Sequence, residues 1–387
     1  MGRRKSAIVI GGGIGGLSAA IGLHAIGVRV AVYERGEGTA LGAGITLWPN
    51  AQYALAELGL GPRLDALYTP GTDASLKDSG GRRLTHVDEA AFVRANGRGL
   101  LGVHRAALAD LLRSALPEGT VRFRSPVSSV AADGTVGFAD GTTESADLVV
   151  AADGIRSTAR AALWPGHAAT RYTGFTAFRA VVDDGRDRAQ GITLGPGTEF
   201  GSVPLTGGKR YWYASLFAPR GLPCEPAKEF LTGHLAHWHS GVRELVEATA
   251  PEAILRHDLR VLATPLPSFV SGKVAVLGDA AHAMTPFLGQ GGCQAIEDAV
   301  VLAASVDNAA TIEEALCAYD AERRPRTDAI TRASAMTGLL NNRPRNRVVV
   351  ALRDGLLRAT NLLPESARQG PVTAVTGWRP PALPRRR

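Results

Sequence analysis

Three glycines near the start of the chain have the spacing that phosphate-binding loops require. Gly11, Gly13 and Gly16 follow the apolar residues 7–10 and precede a helix-like stretch. Glycines at this spacing permit a tight turn and let backbone N–H groups approach a pyrophosphate at the positive end of a helix. Glu34, eighteen residues after Gly16, is placed to accept hydrogen bonds from ribose hydroxyls, which disfavours a 2′-phosphate. The pattern predicts a dinucleotide site, without separating FAD from NAD.

A second glycine-rich loop follows another apolar run late in the chain. Gly278 and Asp279 end a predicted buried strand, and Gly289, Gly291 and Gly292 open a predicted helix. The carboxylate of Asp279 can accept a hydrogen bond from a ribityl hydroxyl, and the helix start offers N–H donors and a positive dipole end. A reduced flavin carries negative charge at its N1–C2=O edge, which such a helix end would stabilise. The second loop therefore favours a flavin.

These two loops, together with residues 151–157 and Arg160, resemble the motifs of the single-component FAD-dependent aromatic hydroxylases of p-hydroxybenzoate hydroxylase type. Within that family, residues 42–50, 171–175 and 289–293 are similar to the urate-hydroxylase and zeaxanthin-epoxidase branch. The resemblance implies cofactor contacts by Gly11, Gly13, Ile14, Gly15, Gly16, Glu34, Arg35, Gly44, Thr46, Arg105, Val127, Asp153, Gly154, Gly278, Asp279, Pro286, Gly289, Gly291 and Gly292.

The same resemblance implies a reaction. NADH or NADPH would reduce FAD transiently, and the reduced flavin would react with O2 to give a C4a-hydroperoxide. That species would insert one oxygen atom into an aromatic or heteroaromatic small molecule, with Pro286 along the reactive edge of the flavin. The protein itself would bind, orient and exclude water. Epoxidation of an electron-rich double bond, or flavin oxidoreduction without oxygen transfer, stays open as an alternative.

Four residues are candidates for contact with the substrate. Tyr211 aligns with a substrate-pocket tyrosine of the urate enzymes, and Tyr213 lies on the same face of a predicted strand. Arg179 and Glu199 are candidate polar anchors. Glu199 stands near the place where the urate enzymes have an arginine, and its carboxylate is expected to repel an anionic purine. We therefore expect a substrate other than urate.

The elements that must position these residues form an α/β fold. A Rossmann-like FAD-binding domain is expected to carry an inserted, mostly antiparallel β substrate domain, followed by C-terminal helices. Helices are predicted at residues 53–68, 105–116, 226–239, 241–249, 292–305 and 312–335. The predicted division is 1–72, 99–170 and 265–345 for the FAD-binding domain, 73–98 and 171–264 for the substrate domain, and 346–387 for a helical segment with a Pro- and Arg-rich tail.

Composition narrows the class of protein. The net charge of +7 comes from scattered arginines and not from a basic stripe with aromatics, so nucleic acid is not expected as a partner. An anionic substrate or a nicotinamide phosphate suits a mildly basic field. The sequence contains no run of about 18 uncharged apolar residues, so no membrane span is predicted. Three widely spaced cysteines favour a reducing cytoplasm. The chain is expected to be a monomer or a homodimer.

Several other residues have both a functional and a packing interpretation. His282 could lie near the flavin ring, and Cys293 at a helix start could be reactive, although packing is favoured for both. The spacing of His234, His237 and His239 resembles that of metal ligands. The sequence shows no fourth ligand to accompany them, so no metal is expected. Trp378 is expected to anchor the tail by packing and not to cap the substrate pocket.

Overall fold

The computed structural model describes residues 4–38, 43–67, 69, 75–183 and 190–384. The strands are β1 Ser6–Ile10, β2 Arg29–Tyr33, β3 Gly44–Leu47, β4 Leu76–Asp78, β5 Leu101–His104, β6 Val121–Arg122, β7 Val127–Val130, β8 Thr135–Phe138, β9 Thr143–Ser145, β10 Leu148–Ala151, β11 Thr170–Asp183, β12 Gly191–Gly195, β13 Thr198–Leu205, β14 Lys209–Phe217, β15 Leu255–Leu262, β16 Val270–Ser271 and β17 Val274–Val276. The α-helices are α1 Ile14–Ala25, α2 Pro49–Glu57, α3 Gly61–Asp65, α4 Glu89–Asn96, α5 Arg105–Arg113, α6 Thr158–Leu163, α7 Ala227–His234, α8 Ser240–Ala248, α9 Asp279–His282, α10 Gly291–Asn308, α11 Ile312–Thr337, α12 Arg347–Ala359 and α13 Glu365–Thr376.

The first six-stranded sheet has the order β16-β17-β10-β1-β2-β6 and is parallel except for β16. Its central strands are uninterrupted apolar runs because the sheet is buried on both faces. Helices α1 and α10 pack against each other. Because β1, β10 and β17 run in parallel, the loops that follow them meet at one edge of the sheet. Gly11, Asp153 and Gly278 lie in these three loops.

The second six-stranded sheet has the order β15-β11-β14-β13-β12-β4, and its pairs are antiparallel except β4 with β12. Side chains alternate between its two faces. Phe178, Phe200 and Trp212 point to the face covered by α7 and α8, where they form a separate apolar core. The predicted combination of a Rossmann-like part, a mostly antiparallel part and C-terminal helices is confirmed. We keep the domain boundaries as a proposal.

The predicted helices differ from the observed ones where turn residues intervene. The single helix predicted at 53–68 is two helices, α2 and α3, because Gly59 takes a left-handed conformation between them with a φ of 83°. The helix predicted at 226–239 ends at His234. Tyr68 and the arginines at 385–387 lie outside the described residues. Within the described residues, no helix is both long enough and apolar enough to cross a membrane.

The C-terminal helices pack beside both sheets. Helix α11 begins with a capping box formed by Thr311 and Glu314, and it packs along α10. A π-helix, Gly338–Asn342, continues directly from α11. This π-helix contacts β12 and β14, so it connects the C-terminal helices with the second sheet.

Candidate functional site

A cavity of about 750 Å³ extends between the loops of the first sheet and one face of the second sheet. The cofactor residues predicted from the sequence line it, with Gly16 as the exception. Three of the four predicted substrate residues also line it, namely Arg179, Tyr211 and Tyr213. The topology thus brings residues from distant parts of the chain to one cavity, with the phosphate-binding loops at one end and the tyrosines at the other.

The three positions of the first loop require glycine for different structural reasons. Gly11 has a φ of 101°, and a Cβ there would lie 2.4 Å from the carbonyl oxygen of Ala152. A Cβ on Gly16 would lie 2.0 Å from the carbonyl oxygen of Gly11, so Gly16 allows α1 to pack closely on the turn. Gly13 lines the cavity and a Cβ there would meet no atom within 4 Å. The bare backbone at Gly13 leaves room for a phosphate at the start of α1.

Glu34 is held rigidly at the end of β2. Its Oε2 accepts a hydrogen bond from the N–H of Gly12 at 2.7 Å, and its Oε1 accepts one from the N–H of Gly36 at 2.7 Å. These bonds fix the carboxylate beside the phosphate loop, on the wall of the cavity. Carboxylate oxygens have further lone pairs, so Glu34 can still accept hydrogen bonds from ribose hydroxyls.

Three buried polar atoms of residues at the cavity wall have no hydrogen-bond partner within the described residues. They are Oδ1 of Asp153, Nε1 of Trp48 and Oγ of Ser215. The other oxygen of Asp153, Oδ2, accepts hydrogen bonds from the N–H groups of Thr158 and Ala159 at the start of α6. Because buried polar groups are nearly always satisfied, these atoms are explained if a polar ligand fills the cavity. A flavin dinucleotide fits this set of donors and acceptors.

The second loop rests on a buried ionic network that the sequence patterns did not reveal. Asp298 on α10 accepts a hydrogen bond from the N–H of Gly278 at 3.0 Å and contacts Nε2 of His282 at 2.6 Å. Nε of Arg323 on α11 donates to the other oxygen of Asp298 at 2.7 Å. His282 therefore stabilises the second loop through Asp298, and it does not line the cavity. Burial alone would raise the pKa of Asp298, but His282 and Arg323 lower it to about 2.

Replacement of Asp298 by asparagine is expected to lower the free energy of unfolding by roughly 3 kcal/mol at neutral pH. A carboxyl whose folded pKa is depressed stabilises the fold above its unfolded pKa, and this contribution is lost as the pH falls towards the folded value. Urea titrations at neutral pH and in mild acid measure both effects. The matched control is Asp65→Asn, because Asp65 pairs with Arg98 on the surface and should contribute less than about 1 kcal/mol. Equal effects of the two substitutions would contradict the buried role of Asp298.

The opposite end of the cavity is formed by one face of the second sheet. Tyr213 on β14 pairs directly with Arg179 on β11, and Tyr211 lies two residues along the same strand. Because side chains alternate along a strand, these three residues share the face that lines the cavity, while Trp212 points into the core on the other face. The rings of Tyr211 and Tyr213 have centroids 6.2 Å apart. This end of the cavity is therefore aromatic and includes the cationic side chain of Arg179.

Each of these two tyrosines packs on a glycine of a neighbouring strand. A Cβ on Gly44 would lie 2.2 Å from Cγ of Tyr211, and a Cβ on Gly201 would lie 2.4 Å from Cε1 of Tyr213. Any larger residue at either glycine would force the ring that packs on it to shift. The glycines at these positions are thus required by the rings, a relation that depends on strand register and is not visible in the sequence.

The prediction that Glu199 contacts the substrate needs correction. Glu199 is only 3% exposed and does not line the cavity. Its Oε1 accepts a hydrogen bond from the hydroxyl of Tyr213 at 2.8 Å, and its Oε2 accepts one from Nδ2 of Asn342 at 2.6 Å. Burial raises the pKa of Glu199, although both hydrogen bonds act in the opposite direction. Glu199 therefore stands behind Tyr213, where it cannot directly repel a ligand.

The remaining candidates have packing roles. Burial raises the pKa of Cys293 to about 12, which outweighs any effect of the helix start and makes the thiol unreactive. His234 and His239 hydrogen-bond Thr198 and Thr193, and among the described residues no cluster of His, Cys, Asp and Glu could hold a metal ion. Trp378 packs against Arg323 and Arg326, away from the cavity wall.

Comparisons with known proteins agree with this geometry. The model of the FAD binding domain family matches residues 4–334. Aurachin C monooxygenase/isomerase of Stigmatella aurantiaca is 34% identical over 340 residues, covering 86% of this chain and 88% of that protein. FAD-dependent urate hydroxylase of Klebsiella pneumoniae is 35% identical over 331 residues, covering 82% of this chain and 85% of that protein.

A solved structure extends the likeness to three dimensions. The crystal structure of Klebsiella pneumoniae HpxO complexed with FAD and uric acid has a TM-score of 0.86 and 30% sequence identity, and it covers 96% of each chain. The cofactor and the family that the glycine loops and the Asp153–Gly154 turn predicted are confirmed. The chain therefore belongs to the FAD binding domain family, and it is a monooxygenase of the FAD-dependent aromatic hydroxylase type.

Proposed function

We propose that the protein hydroxylates an aromatic or heteroaromatic ring that carries an ionisable hydroxyl group. The observation that supports this substrate class is the arrangement of Arg179, Tyr211, Tyr213 and Glu199 at the end of the cavity opposite the phosphate-binding loops. The two tyrosine rings form an aromatic wall against which a flat ring can stack. An arginine and a hydrogen-bonded tyrosine provide polar groups that orient such a ring.

Arg179 has the charge to bind the oxygen of the substrate once that oxygen is ionised. Its guanidinium lies on the same face of the sheet as Tyr213, directly opposite it in register. A cation that faces a developing oxyanion in a cavity shielded from water stabilises the charge more strongly than it would in bulk solvent. An ionised ring is also more electron-rich, which is what an electrophilic oxygen donor requires.

Tyr213 and Glu199 form a path for the proton that leaves the substrate. The substrate O–H bond breaks as its proton passes to Oη of Tyr213, and the original proton of Tyr213 passes to Oε1 of Glu199, 2.8 Å away. The raised pKa of Glu199 makes its carboxylate a stronger base than an ordinary glutamate. Asn342 steadies the second oxygen of Glu199 through its 2.6 Å hydrogen bond. Glu199 acts through Tyr213 and is therefore a positioning residue.

FAD supplies the activation of O2 when it is bound and reduced, and the residues of this chain hold it in place. We propose that NADH or NADPH is the reductant. Glu34 and the first loop would hold the adenosine and pyrophosphate, while Asp153 and Asp279 would bind polar groups nearer the flavin. Pro286 lines the same cavity and would border the reactive edge of the ring. We further propose a cytoplasmic location, because the three cysteines are free thiols.

The test of this function uses the purified protein loaded with FAD. Oxidation of NADH and of NADPH is measured with hydroxybenzoates, hydroxyquinolines, urate and a conjugated polyene, and products are analysed after reaction in isotopically labelled O2. We expect a ring-hydroxylated compound to accelerate oxidation of the nicotinamide cofactor and to acquire one labelled oxygen atom. Labelled epoxide from the polyene alone would identify the alternative activity. Oxidation without label in any product would overturn the proposal.

A further inference from the structure

Helix α12 presents a stripe of apolar residues to solvent and buries two charged residues against the protein. Val348, Leu352 and Leu356 recur every four residues, so they form one stripe along the helix, and they are 76%, 63% and 63% exposed. On the inner face, Arg353 and Asp354 are buried as an ion pair with an N–O distance of 2.8 Å. This arrangement inverts the usual polarity of a surface helix, which buries its apolar stripe.

The orientation of α12 is fixed by the contacts of Arg353. Its guanidinium donates to the carbonyl oxygens of Gly195 on β12 and Asn341 in the π-helix, in addition to pairing with Asp354. Rotating the helix to bury its leucines would break these bonds and leave the carbonyl oxygens of Gly195 and Asn341 without the donor they have in this structure. The exposure of the apolar stripe is therefore a property of the fold.

Other exposed apolar side chains precede and follow α12 in the chain. The C-terminal surface is the name we give to the exposed apolar residues of this region: Met336, Leu339, Leu340, Val348, Val349, Leu352, Leu356, Leu362, Leu363 and Val372. Scattered single apolar residues are normal on a protein, but a concentration of large ones in one short segment marks a surface that contacts something else.

The charges around the C-terminal surface are predominantly positive. Residues 339–372 contain six arginines and two acidic residues, and one of those acidic residues, Asp354, is neutralised by Arg353. Arg343, Arg345 and Arg347 are exposed just before or at the start of α12, whereas Arg358 near its end pairs with Asp78 at 3.3 Å. A partner that covers this surface must therefore be apolar in its interior and negatively charged at its boundary.

We propose that the C-terminal surface docks on an anionic lipid bilayer, with α12 lying in the plane of the interface. An amphipathic helix whose leucines enter the acyl boundary while arginines meet lipid phosphates has both properties seen in this segment. A second copy of the chain is the less suitable partner, because a two-fold contact through this surface would bring the two sets of arginines together. Docking of this kind does not depend on the proposed substrate.

The experiment measures sedimentation of the full-length, FAD-loaded protein with vesicles. One set of vesicles is phosphatidylcholine alone, and the other contains phosphatidylcholine with one quarter phosphatidylglycerol. We expect binding to the anionic vesicles that weakens as salt is added, since exposed charges are screened. The double substitution Leu352→Gln and Leu356→Gln should weaken binding by about tenfold or more, because it removes apolar area from the interface.

Two variants control for unrelated effects. Leu352→Met with Leu356→Met keeps the apolar character and should bind as the unmodified protein does. Phe123→Gln changes an exposed apolar residue just after β6, outside the C-terminal surface, and should also leave binding unchanged. Thermal unfolding and FAD content establish that each variant is folded. Absence of binding to anionic vesicles, equal binding of the double glutamine variant, or conversion of a dimer to a monomer by that variant without any vesicle binding would overturn the proposal.

Discussion

Replacement of Gly16 by alanine is expected to abolish FAD binding, with a loss of affinity of about 100-fold or more. The added Cβ would lie 2.0 Å from the carbonyl oxygen of Gly11, so α1 would have to move away from the turn that carries the backbone N–H groups. The atoms nearest to the added Cβ are backbone atoms of Gly11 and the Cβ of Ala152, so no flexible side chain is there to move aside. Titration of the apoprotein with FAD, followed by flavin fluorescence, measures the affinity.

The matched control is Gly13→Ala, which separates the shape of the loop from its contact with the ligand. Gly13 has a negative φ of −76° and an added Cβ would meet no protein atom within 4 Å. We expect this variant to keep its free energy of unfolding to within about 1 kcal/mol while it binds FAD more weakly, because the methyl group occupies space at the cavity wall. Gly16→Ala should lose both stability and FAD. A Gly16→Ala protein that bound FAD normally would contradict the role assigned to the loop.

Removal of the Tyr213 hydroxyl is expected to slow hydroxylation of an ionisable substrate by about 100-fold or more below neutral pH, which is the usual contribution of a positioned acid or base. The Tyr213→Phe variant has no oxygen to receive the substrate proton, and it leaves Oε1 of Glu199 buried without its donor. The rate should recover as the pH rises, because the substrate then ionises in solution. The measurement is the pH profile of kcat and of kcat/KM, together with FAD content.

Glu199→Gln provides the decisive comparison, since glutamine still accepts a hydrogen bond from Tyr213 but is not a base. We expect it to reproduce the pH profile of Tyr213→Phe. The matched control is Tyr172→Phe, because the Tyr172 hydroxyl donates to the carbonyl of Ala218 and lies away from the cavity wall. If Glu199→Gln retained the unmodified pH profile, Glu199 would have only a packing role and the proton path would be wrong.

The part of the fold that could be predicted from the sequence is the part with local signals. Patterns of only a few residues predict the loop from Gly11 to Gly16, the β-branched strand before Glu34 and the apolar strand before Gly278. The prediction of a single helix at 53–68 was wrong because Gly59 interrupts it. A glycine within a helical pattern already weakens the prediction of an uninterrupted helix. The inverted polarity of α12 could not be foreseen, since an apolar stripe predicts burial unless the tertiary contacts of Arg353 are known.

The residues of the candidate site likewise include some that local motifs predict and others that only the tertiary structure brings together. Contacts of the phosphate-binding loops follow from motifs, and the structure gathers those residues at the carboxyl ends of parallel strands. The position of Glu199 depends on its register in β13 and on Asn342, which is 143 residues away in sequence. Asp298, His282 and Arg323 are likewise joined only by the packing of α10 and α11 under the second loop. Such relations arise from tertiary structure, and no spacing rule contains them.

The packing of Tyr211 on Gly44 and of Tyr213 on Gly201 makes the shape of the proposed substrate pocket depend on two residues without side chains. A single methyl group added at either glycine would force an aromatic ring to shift and so change the shape of the pocket, without changing the chemical character of its lining. Relatives that share this sheet could therefore diverge in the size of the molecule they accept through changes at positions that carry no side chain here. For the design of altered specificity, these two glycines are as informative as the tyrosines they support.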